Sequence, residues 1–116
     1  MGLDLTFLNA LSDTIEGRKS GDPSASYVSK LFNKGGAKMG AKVGEEGVEF
    51  AQEMMRDNDE KLLDEGADLL LHMMVALSSR EYTLEDVVKV LVAREGVGGI
   101  AEKVSRSKPA DPNPSP

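Results

Sequence analysis

Leu5, Leu8, Leu11 and Ile15 recur three or four residues apart. That is the period of one helix face, and it predicts a first helix ending near Gly17. Gly21-Asp22-Pro23 breaks the pattern. Ser24 or Ser26 then offers a hydroxyl to cap a short helix through Phe32, stopped by Gly35-Gly36. A long helix is expected from about Ala37 to Arg56. Asp57-Asn58-Asp59 joins a turn to a helix start, because short polar side chains accept from the free N–H groups of the next turn. The fourth helix runs from Glu60 to about Arg80. Thr83-Leu84-Glu85-Asp86 reads as a capping box for a fifth, ending at Gly96. No strand and no internal repeat emerges. The expected fold is all-α, a bundle of about five helices over residues 1–96. Residues 97–116 form a C-terminal extension with four of the five prolines in its last eight positions, a composition that predicts disorder.

Composition narrows the chemistry. The 116 residues include no cysteine and a single histidine, which excludes disulfides, thiolate metal sites and any site needing two histidines. Fourteen basic against twenty acidic residues give a net charge of −6, which argues against a nucleic-acid or acidic-membrane partner. The most apolar stretch, Ala67 to Leu77, is too short to span a bilayer. Met1 opens onto an amphipathic pattern rather than a signal peptide, so a cytoplasmic location is expected. Carboxylates and lysines are what remains to do chemistry.

The acids are patterned. Glu45, Glu46, Glu49 and Glu53 project at roughly 0°, 100°, 40° and 80° around the long helix, one stripe opposite a side carrying Gly36, Gly40, Gly44 and Gly47. A solvated face is the simple reading, yet such faces mix signs and this one does not. Each interior glycine costs about 1 kcal/mol relative to Ala, which a close approach by another helix would offset. In the fourth helix Glu65 and Asp68 share a face, with His72 one turn on. Leucines, methionines and Val75 surround them on nearly every side, the pattern of a buried helix. An ionised Asp68 there needs a compensating cation, either Lys61 on the same face or a bound metal. Antiparallel pairing across the short turn sets Glu65 and Asp68 opposite Glu46 and Glu49. Four carboxylates with little nitrogen and no sulfur suit Mg2+ or Mn2+. His72 reads more readily as a hydrogen-bonded core histidine than as a ligand.

Lys30, Lys34, Lys38 and Lys42 recur every four residues with no acid between them, whereas Glu45 to Asp68 holds ten acids and two bases. Lysines near a helix start oppose the macrodipole, so dipole tidiness does not explain them. They make sense beside an acidic metal site if the ligand is a polyphosphate, with metal and ammoniums sharing the phosphate oxygens.

The run DPSASYVSKLFNKGGAKMGAKVGEEGVE, Asp22 to Glu49, together with EGADLLLHMMVAL, Glu65 to Leu77, resembles the phosphoribosyl-ATP pyrophosphatases of histidine biosynthesis, a branch of the all-α NTP pyrophosphatases (MazG-like). The likeness covers about residues 3 to 95. It implies a metal site of Glu46, Glu49, Glu65 and Asp68, with Glu45 a further ligand or water-orienting group. It also implies catalytic roles for Glu45, Glu46 and Glu49. Lys38 and Lys42 would face the triphosphate of a nucleotide substrate, with Lys30, Lys34 and Tyr27 further out. Gly47 and Gly66 stand where that family more often has alanine, and Leu71 where it has tyrosine. The implied reaction is Mg2+-dependent hydrolysis of phosphoribosyl-ATP to phosphoribosyl-AMP and pyrophosphate. A homodimer completing a four-helix-bundle core is expected, since two long helices make a thin wall around a charged site. The alternatives are a related (d)NTP pyrophosphohydrolase and a non-catalytic helical dimerisation module.

Overall fold

The computed structural model describes residues 5–95. The predicted extension at 97–116 lies outside them. The described residues up to Leu84 pack as one compact unit, and those from Glu85 on belong to a second. Five α-helices are present among the described residues, and no strand. They are α1 (Phe7–Gly17), α2 (Tyr27–Lys34), α3 (Gly36–Glu53), α4 (Asp59–Ser78) and α5 (Leu84–Glu95), with a 3-10 turn at Arg18–Ser20.

The predicted punctuation is visible at the starts of α2 and α4 and between α2 and α3, and the predicted stop at Gly96 lies outside the described residues. Ser26 caps α2, its Oγ accepting from the Ser29 N–H at 3.2 Å. Asn58 caps α4, its Oδ1 accepting from the Lys61 N–H at 3.1 Å. Gly35 lies between α2 and α3 with φ at 95°, a left-handed conformation that a side chain would strain. The long helix stops earlier than its sequence pattern predicts. After Glu53 the N–H groups of Met54, Met55 and Arg56 reach carbonyls three residues back, so the chain tightens before the turn at Asp57.

Two long helices joined by so short a turn must run antiparallel. Accordingly α3 and α4 form the most extensive pairing of the unit. Gly66 on α4 gives passage to the Phe50 ring of α3, whose Cε1 lies 3.4 Å from where a Cβ would stand. The core is a small aliphatic cluster of Ile15, Leu31, Met39, Met74 and Val75, one or two residues from each of the four helices. Leu8, Leu11, Val28, Phe32, Leu70 and Leu71 surround it. At the far end Ser78 Oγ donates to Glu16 Oε1 at 2.9 Å, and Lys19 Nζ bridges Glu16 and Glu81 at 3.0 and 3.2 Å. These polar ties fix α1 against the end of α4.

Two expectations fail within the chain. The α4 pattern predicts burial all round, yet Leu63 is 72% exposed and Asp68 also faces solvent. Only α1, α2 and α3 are available to this unit, and they cover one side of α4. The glycines of α3 do not admit a neighbouring helix: a Cβ on Gly36, Gly40, Gly44 or Gly47 would meet nothing within 4 Å.

Candidate functional site

Met39, Glu46 and Glu53 are seven residues apart, so after two turns each points almost where the last did. In α3 this line faces inward, leaving Glu46 only 7% and Glu53 only 5% exposed. The acidic stripe is therefore split. Glu46 and Glu53 are buried, while Glu45 and Glu49 stand exposed beside them. Glu53 is satisfied by the Arg56 guanidinium at 3.0 Å, just past the helix end. Glu46 meets a different environment.

One oxygen each from Glu46, Glu49 and Glu65 lie within 4.8 Å of one another. Three like charges at such range repel strongly in a partly desolvated setting. Burial of Glu65 raises its carboxyl above the usual range, and neighbouring Glu49, Glu46 and Asp68 push the same way. Glu46 Oε1 and Glu65 Oε1 are both sealed from solvent without a hydrogen-bond partner. A buried carboxylate oxygen left so is costly unless something positive sits against it. The nearest cation is Lys42, 3.7 Å from Glu46 Oε2 and 3.5 Å from Glu45 Oε1, which touches neither orphaned oxygen. A set of oxygen-only donors with two unpartnered atoms fits a hard divalent ion such as Mg2+ or Mn2+.

The remaining sequence candidates lie around this triad. Asp68 is exposed and outside the three-carboxylate set, though its charge reaches Glu65. It makes no ion pair with Lys61 among the described residues. Lys30, Lys34 and Lys38 are exposed and have no described carboxylate within 4 Å, so their ammoniums remain uncommitted. Lys42 is held higher than an ordinary lysine, first by Tyr27 and then by Glu45 and Glu46 acting against partial burial.

One contact has no local sequence signal. The ring of His72, 6% exposed, meets Tyr27 edge-on at 5.7 Å between centroids. His72 Nε2 lies 2.7 Å from the Tyr27 hydroxyl, and Nδ1 lies 2.7 Å from the Asp68 carbonyl. His72 is thus the hydrogen-bonded core histidine expected of it. The two residues are 45 positions apart, so no spacing rule links them.

The model of the phosphoribosyl-ATP pyrophosphohydrolase family matches residues 8–95, most of the chain. The chain belongs to this family. Its relatives in this family of hydrolases include the phosphoribosyl-ATP pyrophosphatase of Cereibacter sphaeroides, 48% identical over 102 residues, which cover 88% of this chain and 99% of that one. The phosphoribosyl-ATP pyrophosphatase of a Ruegeria species is 44% identical over 104 residues, covering 90% and 99%. That of Novosphingobium aromaticivorans is 49% identical over 100 residues, covering 86% and 94%. As a phosphoribosyl-ATP pyrophosphohydrolase family member, the chain carries its carboxylate triad within the matched region. No described helix is long and apolar enough to cross a membrane.

Proposed function

We propose that the protein hydrolyses phosphoribosyl-ATP between its α and β phosphates, releasing phosphoribosyl-AMP and pyrophosphate, as a cytoplasmic step of histidine biosynthesis. The observation that carries the reading is the pair of buried, unpartnered oxygens on Glu46 and Glu65 beside Glu49. A solvated acidic face, as in a non-catalytic helical module, has no reason to seal two carboxylate oxygens without partners.

Glu46, Glu49 and Glu65 would hold Mg2+, or Mn2+ in its stead, with Asp68 adding charge from the rim. When bound, the ion supplies positive charge against the phosphate oxygens. Glu46 and Glu65 keep their inward oxygens fixed by the packing of α3 against α4. Glu49, more exposed than either, is the carboxylate with room to orient a water and accept its proton. Glu45 holds the Lys42 ammonium at the mouth of the site. Lys38 and Lys42 would take phosphate oxygens as the pyrophosphate departs, with Lys30 and Lys34 drawing in the anionic substrate. No covalent intermediate is required.

The proposal includes a homodimer. Leu63 is exposed on α4, and a depression of about 340 Å³ is lined by Met73, Ala76, Leu77, Arg80 and Tyr82. A second α3–α4 hairpin against this side would give the four-helix core that one chain lacks. Light scattering should then give twice the 12.4 kDa chain mass at micromolar concentration, and a monomer there would refute the dimer.

Pyrophosphate release from phosphoribosyl-ATP, ATP and the dNTPs, each with Mg2+, tests the activity. Preference for phosphoribosyl-ATP is expected. Equal or greater release from a dNTP would replace the reading with a general nucleotide pyrophosphohydrolase, and none from any substrate would remove it.

A further inference from the structure

The group that separates phosphoribosyl-ATP from ATP is a ribose 5-phosphate carried on the adenine ring. A hydrolase that prefers the larger molecule has to read that second anionic end. The carboxylates and lysines above serve the triphosphate and leave it unread. What such a group requires is a cation set in a sugar-sized pocket clear of carboxylates.

A depression of about 360 Å³ bounded by residues of α1, α2 and α4 meets this description. Leu11 and Leu71 give it apolar walls, and among the described residues Arg18 is the only charged one in its lining. No described carboxylate lies within 4 Å of the Arg18 guanidinium, although the chain as a whole carries a charge of −6. The Arg18 backbone is anchored. Its carbonyl accepts from Ser29 Oγ at 2.8 Å and from the Gly21 N–H at 3.1 Å, and Ser29 is itself buried. Two hydroxyls in the lining suit a sugar phosphate. Ser26 Oγ accepts from the Ser29 N–H at 3.2 Å, which leaves its own hydrogen to donate. Thr14 Oγ1 donates to the Ala10 carbonyl at 3.2 Å, which leaves its lone pairs to accept.

Tyr27 ties this depression to the helix that bears Glu65. It lines the depression, its hydroxyl lies 2.7 Å from His72 Nε2, and His72 Nδ1 lies 2.7 Å from the Asp68 carbonyl. Leu71 stands six residues past Glu65, about 9 Å further along α4. A separation of that order suits a ligand whose two anionic ends are divided by a purine and two sugars.

We propose that Arg18 and the depression around it bind the ribose 5-phosphate end of phosphoribosyl-ATP and set the preference for it over ATP. The planar guanidinium offers paired donors to the phosphate, and the Ser26 hydroxyl adds another. Thr14 accepts from the ribose hydroxyls. The apolar walls limit competing water and so strengthen the charged contact. ATP lacks the group and gains nothing from this site. The assignment rests on the hydrolase reading and names the residue that reads the second phosphate of its substrate.

Two measurements test this. Arg18→Ala truncates an exposed side chain with no described ion pair and should keep the helical fold by circular dichroism. Its KM for phosphoribosyl-ATP should rise about ten- to a hundredfold, the loss of charged hydrogen bonds to one phosphate. The inhibition constant of ATP as a competitor should change less than about twofold, since ATP does not reach this site. An unchanged KM, or equal losses for both nucleotides, overturns the proposal. The second measurement needs no turnover. Ribose 5-phosphate added to the metal-free wild type should shift the ¹H–¹⁵N NMR signals of Arg18, Tyr27 and Leu71, and Arg18→Ala should abolish those shifts. Shifts that survive in Arg18→Ala, or that fall only elsewhere, overturn it. A wild type without turnover of phosphoribosyl-ATP would remove the hydrolase reading and the substrate role with it. Turnover with no response at these three amides would overturn this proposal alone.

Discussion

The glycines inside α3 and α4 and the one at the α2–α3 junction make predictions of opposite sign, and together they test how the packing is understood. Gly44 sits inside α3, where a Cβ would meet nothing within 4 Å. Gly44→Ala therefore brings only the helix-propensity gain, about 1 kcal/mol. Gly40→Ala is equivalent, and with no shared partner the two should add to about 2 kcal/mol. Gly66 differs because its Cβ would stand 3.4 Å from Phe50 Cε1. That is ordinary van der Waals contact, so Gly66→Ala should gain a similar amount, with a methyl now filling the helix pair. Gly35 reverses the sign. At φ 95° an alanine must strain the backbone, costing about 1–2 kcal/mol. Urea unfolding followed by circular dichroism measures all four, with an unchanged m-value showing that the folded and unfolded states stay comparable. In a heat melt each kcal/mol should move Tm by about 4–8 °C for a domain of this size. Running the series at two protein concentrations separates any association term. A loss of stability in Gly44→Ala would refute the reasoning, because it would mean that a backbone lies against a face described as open.

The caps and the carboxylates give further expectations. Ser26→Ala removes the side-chain acceptor for the Ser29 N–H and should cost about 1 kcal/mol, read by the same unfolding assay. The Glu65 carboxyl is raised in the folded protein, so the folded state binds its proton more tightly than the unfolded chain does. Its contribution to metal-free stability is greatest below the ordinary Glu range and is lost as pH rises through the raised value. The wild type should accordingly lose Tm relative to Glu65→Gln as pH climbs through that window in EDTA, and a constant difference would contradict the assignment. By the same proton competition, Mn2+ affinity followed by calorimetry should fall as pH is lowered through the raised Glu65 pKa, and a flat profile would argue against Glu65 as a ligand.

The helices were legible because their signals are local. Ser26, Gly35 and Asn58 act within one turn of themselves, and each punctuates the chain where its chemistry predicts. The end of α3 was less so, since the tightening at Met54 to Arg56 depends on the turn that follows. Periodicity placed Glu45, Glu46, Glu49 and Glu53 on one side of a helix but could not say which of them a neighbouring helix would cover. That is decided by α4, and it buries Glu46 and Glu53 while leaving Glu45 and Glu49 in solvent. The same limit explains α4 itself, where an apolar sequence records a need for cover without saying which surface supplies it. The convergence of Glu46 and Glu49 with Glu65 was readable from antiparallel pairing and from the family resemblance. The Tyr27–His72 contact was not, because it joins α2 to α4 through tertiary packing alone.

The central claim is that this carboxylate cluster runs phosphoanhydride hydrolysis, and Glu49→Gln puts it to the most direct test. The substitution keeps size and shape at an exposed position while removing the charge and the proton acceptor. Pyrophosphate release from phosphoribosyl-ATP with Mg2+ should fall by about 10²–10⁴ relative to the wild type, with the helical fold retained by circular dichroism. A Glu49→Gln protein that turns over at the wild-type rate would contradict the account.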